Sequence, residues 1–235
     1  MQGKLLSLAI FVVLLAGCPG TLQNEPELSY KPDKVIVPQK FIEAGCVKTG
    51  DYQLNCETAQ QLSGFKCELK DIDIRSELEP QLGLIVCVTD IRANNLTDED
   101  WKDNYFYCDG GLAPWCTSYL TSKDGKFARI KNSKELLGLI SPIDNAEKAL
   151  GLVLLAKPRI SKNAYADGKT VLEGSSKESG DGFLVTAYTV DSIFGCKDSY
   201  NYYKVQYLVS KDGTMTEKSR GVIYTKRYEG TLCVD

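Results

Sequence analysis

The chain has 235 residues, of which 43% are hydrophobic and 25% are charged, a composition typical of a folded globular protein. It has 28 basic and 31 acidic residues, a formal net charge of -3, and no long basic run that would predict nucleic-acid binding. It contains no histidine, which excludes Ser-His-Asp and Cys-His catalysis and histidine-ligated zinc or haem.

The first predicted element is an apolar segment that follows Lys4 and runs from Leu5 to Ala16. As a helix it would span about 18 Å, which is shorter than the ~30 Å hydrocarbon core of a membrane. An apolar run of this length behind a basic residue predicts a signal peptide over residues 1–17 and not a membrane-spanning helix.

The residues that end this segment, Leu15-Ala16-Gly17-Cys18, resemble the lipobox of bacterial lipoprotein precursors, in which an aliphatic residue and two small residues precede a cysteine. The resemblance implies cleavage before Cys18 and acylation of its thiol, with acyl chains such as palmitate. It also implies a lipid-anchored protein of the bacterial cell envelope, facing the periplasm or the cell surface. A conventional secretory signal, with Cys18 as an ordinary cysteine, is the alternative. Pro19 leaves the choice of inner or outer membrane open.

Cleavage would leave 218 residues (235 - 17) with 27 basic and 31 acidic groups, because Lys4 is removed, and a net charge of -4. Anionic lipid would repel such a surface, so we expect the membrane to be bound through the acyl chains on Cys18. Residues 19–40 hold four of the eight prolines among polar residues. Residues 18–40 are therefore predicted to be a lipid-anchored flexible tether.

Eight cysteines remain once Cys18 is assigned to lipid, and an even number in an exported chain predicts disulfides. The absence of any C-x-x-C pair argues against a zinc site and against redox catalysis. The simplest partition pairs Cys196 with Cys233 and leaves the connectivity of the other six open. The eight are Cys46, Cys56, Cys67, Cys87, Cys108, Cys116, Cys196 and Cys233.

Short alternating apolar runs separated by turn residues predict antiparallel strands around residues 52–56, 65–69 and 82–88. Six of the cysteines lie in the same part of the chain. Short strands bury little apolar surface, so a module built from them needs cross-links for stability. Residues 41–116 are therefore predicted to form a small disulfide-stapled β-rich module.

Aromatic residues crowd the end of this module, around a loop that contains Gly110 and Gly111. Exposed rings there would form a platform for a protein or a saccharide. The candidate binding-surface residues are Trp101, Tyr105, Tyr107 and Trp115. The acidic run Asp98-Glu99-Asp100 follows Thr97 and is interpreted as a solvated helix start.

Residues 117–235 are predicted to form an α+β domain. Asn132 with Glu135, and Asp144 with Glu147, each place a capping side chain three residues before a carboxylate, which predicts two helix starts. The second helix has apolar residues on one face and ends at Lys157-Pro158.

Strands are predicted downstream of the helices at residues 170–172, 183–190, 202–209 and 214–224. Segments 119–125 and 207–213 agree at six of seven positions and both end in Asp-Gly, which predicts hairpins. Convergence on a good turn and internal duplication are the two explanations. The alternation of Tyr203, Val205, Tyr207 and Val209 predicts that these side chains face the core.

Helices followed by hairpin-linked strands predict an α+β fold with the helices packed on an antiparallel sheet, which resembles the layer of cystatin-like folds. The sequence yields no catalytic residue, metal site or cofactor. It predicts a lipid-anchored protein that binds or scaffolds an unknown envelope protein or saccharide, and no nucleic acid. The alternatives are an envelope hydrolase whose carboxylates meet only in the fold and, from the cystatin-like arrangement, a protease-inhibitor-like module.

Overall fold

The computed structural model describes residues 26–27, 39–43, 45–48, 54–55, 81–90, 105–109, 115–123, 126–166, 169–191 and 195–234. Within these ranges helices combine with antiparallel sheets, so the predicted α+β class is confirmed. Several sequence predictions lie outside the described residues, among them the signal peptide at 1–17, Cys18, the strand at 65–69, the helix start at 97–100 and the Gly110-Gly111 loop.

The helices are α1 (Gln39–Glu43), α2 (Ser133–Ile140) and α3 (Ala146–Ala156). The strands that precede α2 are β1 (Pro26–Glu27), β2 (Val47–Lys48), β3 (Leu54–Asn55), β4 (Leu84–Asp90), β5 (Tyr107–Asp109), β6 (Trp115–Lys123) and β7 (Lys126–Ile130). Those that follow α3 are β8 (Asn163–Ala166), β9 (Lys169–Glu173), β10 (Ser175–Ser179), β11 (Gly182–Val190), β12 (Gly195–Ser210) and β13 (Met215–Val234).

The described strands form four antiparallel groups. The largest is the meander β10-β11-β12-β13, in which neighbours in sequence are neighbours in space. A second sheet has the order β4-β6-β5, with β7 also paired to β6, and the smaller groups are β1-β8-β9 and β2-β3. Among the described residues, none of the helices is long and apolar enough to cross a bilayer.

Both helix starts carry an asparagine cap, and one of them differs from the sequence prediction. Asn132 caps α2 as predicted, because its Oδ1 accepts from the backbone N of Glu135 at 3.0 Å. The cap of α3 is Asn145 and not Asp144, since Asn145 Oδ1 accepts from the backbone N of Lys148 at 2.9 Å. The prediction was wrong by one residue, because Asp144 uses its carboxylate to pair with Lys148 Nζ at 3.1 Å.

Helix α3 is buried on more sides than its predicted apolar face. Leu152 and Leu155 are as fully buried as Val153, because α3 shares one core with two sheets. On one side the hydroxyl of Tyr119, in β6, donates to the carbonyl of Leu155 at 2.9 Å. On the other side α3 contacts β10 and β11. The β11 and β12 residues in this core are Phe183, Val185, Ala187, Val205, Tyr207 and Val209.

The core includes Leu84 and Val86 of β4 together with α3, β11 and β12. Strand β6 runs through residue 116, the predicted boundary between the cysteine-rich module and the α+β domain. Residues from both sides of that boundary therefore pack into one hydrophobic core.

Both predicted hairpins are present. Strand β6 pairs with β7 up to Lys123 opposite Lys126, on either side of the predicted Asp-Gly turn. At the β12–β13 turn, Asp212 Oδ1 accepts from the backbone N of Thr214 at 3.0 Å. Gly213 has a φ of 85°, and a Cβ there would collide with Leu137, so this turn requires glycine for both reasons.

Candidate binding site

The aromatic residues selected from the sequence do not form one exposed platform among the described residues. Trp101 lies outside them, and Trp115 is the first residue of β6. Tyr105 is 7% exposed, with the guanidinium of Arg129 4.0 Å from its ring centre. Tyr105 is therefore an interior residue, and its assignment to a binding surface is corrected.

Tyr107 is partly exposed, but Arg159 covers one face of its ring. The Arg159 guanidinium lies 4.6 Å from the ring centre and donates to the Tyr107 hydroxyl. The neighbouring Phe106 meets Tyr119 edge-on, with ring centres 5.0 Å apart, and packs against the core. The described aromatic residues near β5 thus attach this strand to the rest of the molecule, and Tyr107 is partly exposed.

Disulfides reinforce the same region. Cys108 and Cys116 are directly paired across β5 and β6 and form a disulfide. Cys46 and Cys87 are each part of a disulfide, and both are buried. Cys56 and Cys67 lie outside the described residues. The β12–β13 register places Cys196 directly opposite Cys233, and this is a spacing at which two cysteines can be bridged.

A second group of aromatic and charged residues lies on β12 and β13, and we name Tyr203, Tyr207, Glu217 and Arg220 the β12–β13 cluster. Arg220 binds Glu217 with two parallel hydrogen bonds, from Nε to Oε1 at 2.9 Å and from its terminal nitrogen to Oε2 at 3.0 Å. The Tyr207 hydroxyl donates to the same Oε2 at 2.9 Å. The Arg220 guanidinium lies 5.6 Å from the ring centre of Tyr203.

A β-bulge creates this cluster. Gln206 pairs with Ser219, but the next residue, Tyr207, pairs with Glu217, so Lys218 is an extra residue in β13. Residues three apart in a regular strand point to opposite faces, and the bulge allows Glu217 and Arg220 to share one face. Sequence reasoning missed both, because simple alternation separates them and a bulge leaves no clear signal in the residues.

The cluster holds fixed charges at neutral pH. The hydrogen bonds from Arg220 lower the pKa of Glu217, and Glu217 raises the pKa of Arg220 in turn. Burial, followed by the hydrogen bond to Glu217, raises the pKa of Tyr207 to about 12. A hydrogen bond with Asp191, followed by burial, raises the pKa of Tyr203. The result is an ionised Arg–Glu pair flanked by two neutral tyrosines.

This chemistry suits recognition better than proton transfer. A general acid needs a carboxyl with a raised pKa, whereas Glu217 is held ionised. Asp191, which hydrogen-bonds with Tyr203 of the cluster, accepts from the backbone N and the side-chain amide of Asn201 at 3.1 and 3.0 Å. Within the part of the chain that the structure describes, no three Cys, Asp or Glu side chains are grouped so that they could hold a metal ion.

Comparison with known proteins identifies no relative of this chain. No protein-family model matches the chain, and neither a curated protein nor a solved structure does. The function of the site is therefore inferred from its own residues.

Proposed function

We propose that the chain is a lipid-anchored, disulfide-stapled protein of the bacterial cell envelope that acts by binding a partner. The observation that carries the proposal is the lipobox-like Leu15-Ala16-Gly17-Cys18 at the end of a short apolar segment. The disulfides support it, because Cys46, Cys87, Cys108 and Cys116 are all oxidised, and structural disulfides are typical of compartments outside the cytosol.

Substitution of Cys18 tests the anchor. Cys18→Ser removes the thiol that would be acylated, so we expect it to move the protein from the membrane fraction to the soluble fraction and to abolish labelling by radioactive palmitate. Gly17→Ala is the matched control, because it keeps a small residue beside the cleavage site. Membrane association of Cys18→Ser equal to that of the wild type would overturn the anchor.

Thiol titration tests the export. Protein isolated from its native host and unfolded without a reductant should expose no reactive thiol if Cys18 is acylated and the other eight cysteines are paired. The same sample should expose eight thiols after reduction. Eight free thiols before reduction would show that the chain resides in a reducing compartment.

We infer that the partner binds along β13. This strand is the outermost in the order β10-β11-β12-β13, so no other described strand pairs with its outer edge. Residues 216–222 are exposed without interruption, and Val222 is 54% exposed. The backbone of such an edge can hydrogen-bond an extended segment of another protein.

The charge of this strand favours an acidic partner. Lys218, Arg220, Lys226 and Arg227 give the stretch 215–227 four basic residues against the one acid Glu217, in a chain whose net charge is -3. A local excess of basic groups attracts an acidic segment and orients it as it pairs. The exposed guanidinium of Arg220 then lies beside the bound segment.

A photo-crosslinking amino acid at position 222 tests this surface in intact cells. We expect crosslinks to one reproducible partner from position 222 and none from position 181, which is an exposed turn residue of the β10–β11 hairpin. Charge reversal by Lys218→Glu with Arg227→Glu should abolish the crosslinks if the partner is acidic. Crosslinks that persist in the reversed variant would contradict an acidic partner.

The hydrolase alternative requires two carboxyls on either side of a substrate, one of them with a raised pKa. The carboxylate of Glu217 in the β12–β13 cluster is bound to Arg220, and that of Asp191 is bound to Asn201, which favours binding at this place. Turnover of cell-wall fragments by the pure protein would reverse that preference.

The cystatin-like layer is the finer form of the fold proposal. Its support is the order of elements, because α3 precedes the meander β10-β11-β12-β13 and shares a core with β11 and β12. A protease-inhibitor-like module follows from this arrangement as a weaker alternative. Titration of a protease panel with the pure protein tests it, and inhibition at stoichiometric amounts would support it.

A further inference from the structure

We propose that strand β1 holds the body close to the membrane and turns the β8–β9 hairpin toward the lipid. The inference rests on the proposed acylation of Cys18. Its structural basis is the pairing of Pro26 with Ala166 and of Glu27 with Tyr165, which places β1 at the edge of β8. A segment expected to be free along its length is thus fastened to the body near its middle.

The pairing sets the reach of the anchor. Pro26 lies eight residue steps after Cys18 (26 - 18), and at no more than about 3.6 Å each these steps span at most about 29 Å. Without the pairing, the first attachment among the described residues is α1, which begins 21 residues after Cys18 (39 - 18) and could lie up to about 76 Å away. The paired strand therefore shortens the longest possible reach by more than half.

The register also sets a direction. Pro26 lies opposite Ala166 and Glu27 opposite Tyr165, so the chain that arrives from Cys18 meets β8 at its carboxyl end. At that end β8 pairs with the first residue of β9, because Ala166 lies opposite Lys169. The chain from Cys18 therefore reaches the body at the end of the β8–β9 pair where Ala166 lies opposite Lys169.

Strand β8 is firmly joined to the large sheet, so a tether fixed to β8 is fixed to the body. Ser161, which precedes β8, exchanges two backbone hydrogen bonds with Tyr188 of β11, at 2.8 and 2.9 Å. Asn163 Oδ1 accepts from the backbone N of Gly174 at 3.3 Å, and Ala164 is fully buried.

The two-residue pairing is short, and a second attachment supports it. Phe41 of α1 is fully buried, which fixes the tether again 14 residues after Glu27 (41 - 27). Closing a loop of this size costs little chain entropy compared with capture of a free segment. The chain is thus attached to the body at both ends of this loop, at β1 and at Phe41. The stretch before β1 therefore sets the distance between the body and the membrane.

Two insertions of equal length distinguish this arrangement from a freely hanging tether. Thirty Gly/Ser residues are placed either between Gly20 and Thr21, before β1, or between Pro32 and Asp33, after it. The lipidated proteins, with a fluorophore on an unnatural amino acid at position 181, are reconstituted in vesicles that contain an acceptor lipid. Energy transfer then reports the height of the body above the bilayer.

The insertion before β1 should raise the body by about 18 Å, because the r.m.s. length of a flexible linker grows from about 16 Å for 8 residues to about 34 Å for 38. The insertion after β1 should leave the height unchanged. Equal effects of the two insertions, or an effect of neither, would overturn the proposal.

Disruption of β1 adds a second test. Glu27→Pro removes the backbone N–H of β1, whereas Glu27→Ala keeps it. Combined with the insertion after β1, Glu27→Pro should raise the body and Glu27→Ala should not. Failure of the lipid anchor gives a different result from failure of the β1 proposal. Without an anchor, the wild-type protein would not stay on the vesicles, as expected for Cys18→Ser. Protein that stays bound but responds equally to both insertions would refute only the role of β1.

Discussion

Tyr207 connects the hydrophobic core to the charged cluster at the sheet edge. Its side chain is 6% exposed and belongs to the core, while its hydroxyl reaches Glu217 on the neighbouring strand. Tyrosine suits this position because its ring is apolar and its hydroxyl can satisfy a partner at the boundary of the core. One residue thus links the packing of β12 to the charge pair on β13.

The raised pKa of Tyr207 predicts a loss of stability at high pH. The folded protein keeps Tyr207 protonated up to a pKa of about 12, whereas the unfolded chain releases this proton near 10. This contribution to the free energy of unfolding is complete below pH 10 and is lost as the pH rises through about 12. It amounts to roughly 2 to 3 kcal/mol at most. Denaturant midpoints between pH 9 and 12 measure it.

Tyr207→Phe carries no ionisable group at this position, so the wild type should lose more stability than this variant as the pH rises from 10 to 12. Glu217→Gln keeps the tyrosine but removes the carboxylate that helps to raise its pKa. Its decline should therefore begin near pH 10, as in the wild type, but end at a lower pH and be smaller in total. Identical pH profiles for the wild type and Tyr207→Phe would contradict the assignment.

At the scale of residues, the sequence predicted what depends on local alternation. Val205, Tyr207 and Val209 are buried as the period-two pattern requires. The Glu217–Arg220 pair was not predicted, because it depends on the bulge at Lys218 and hence on the register between two strands. Tyr105 was assigned to the surface because a sequence does not show the Arg129 side chain that covers its ring.

At the scale of elements, the start of α3 carries two adjacent candidate caps. Asn145 satisfies the backbone N–H of Lys148, while Asp144 makes an exposed ion pair with the Lys148 side chain. Asn145→Ala should lower the free energy of unfolding by about 1 kcal/mol, the usual value of an N-cap. Thermal or denaturant unfolding measures the loss.

Asp144→Ala is the matched control for this prediction. An exposed ion pair contributes at most about 0.5 kcal/mol at (i, i+4) spacing, so this variant should lose less stability than Asn145→Ala. The order of the two losses is the decisive result. A larger loss for Asp144→Ala would show that Asp144 provides the cap in solution.

Elements without a periodic pattern were the ones that sequence reasoning missed. Strand β10, Ser-Ser-Lys-Glu-Ser, has no apolar residue, so neither period nor propensity indicates a strand. It forms because the turn after it brings it onto β11, with Ser179 opposite Gly182 and Ser175 opposite Thr186. Pairing within a hairpin supplies the backbone bonds that the side chains of β10 do not predict.

At the scale of the molecule, α3 unites two sheets. The order of helices and strands follows from sequence patterns, but these patterns do not show that β4 and β6 pack on the same helix as β11 and β12. Long-range packing of this kind depends on which apolar faces meet. Periodicity identifies an apolar face but does not show which element packs against it. The burial of α3 on both sides was therefore not predicted.

A single shared core predicts that damage to α3 weakens both sheets together. Leu155 is 0% exposed, and Leu155→Ala should lower the free energy of unfolding by about 2 to 5 kcal/mol, because it leaves a cavity in the core that α3 shares with both sheets. Hydrogen exchange should accelerate in parallel for the backbone amides of Leu120 in β6 and Val205 in β12. Leu139→Ala, at a position 37% exposed in α2, is the control and should leave both rates nearly unchanged. If Leu155→Ala accelerated exchange at one strand and not at the other, the two sheets would be separate cooperative units, each with its own core.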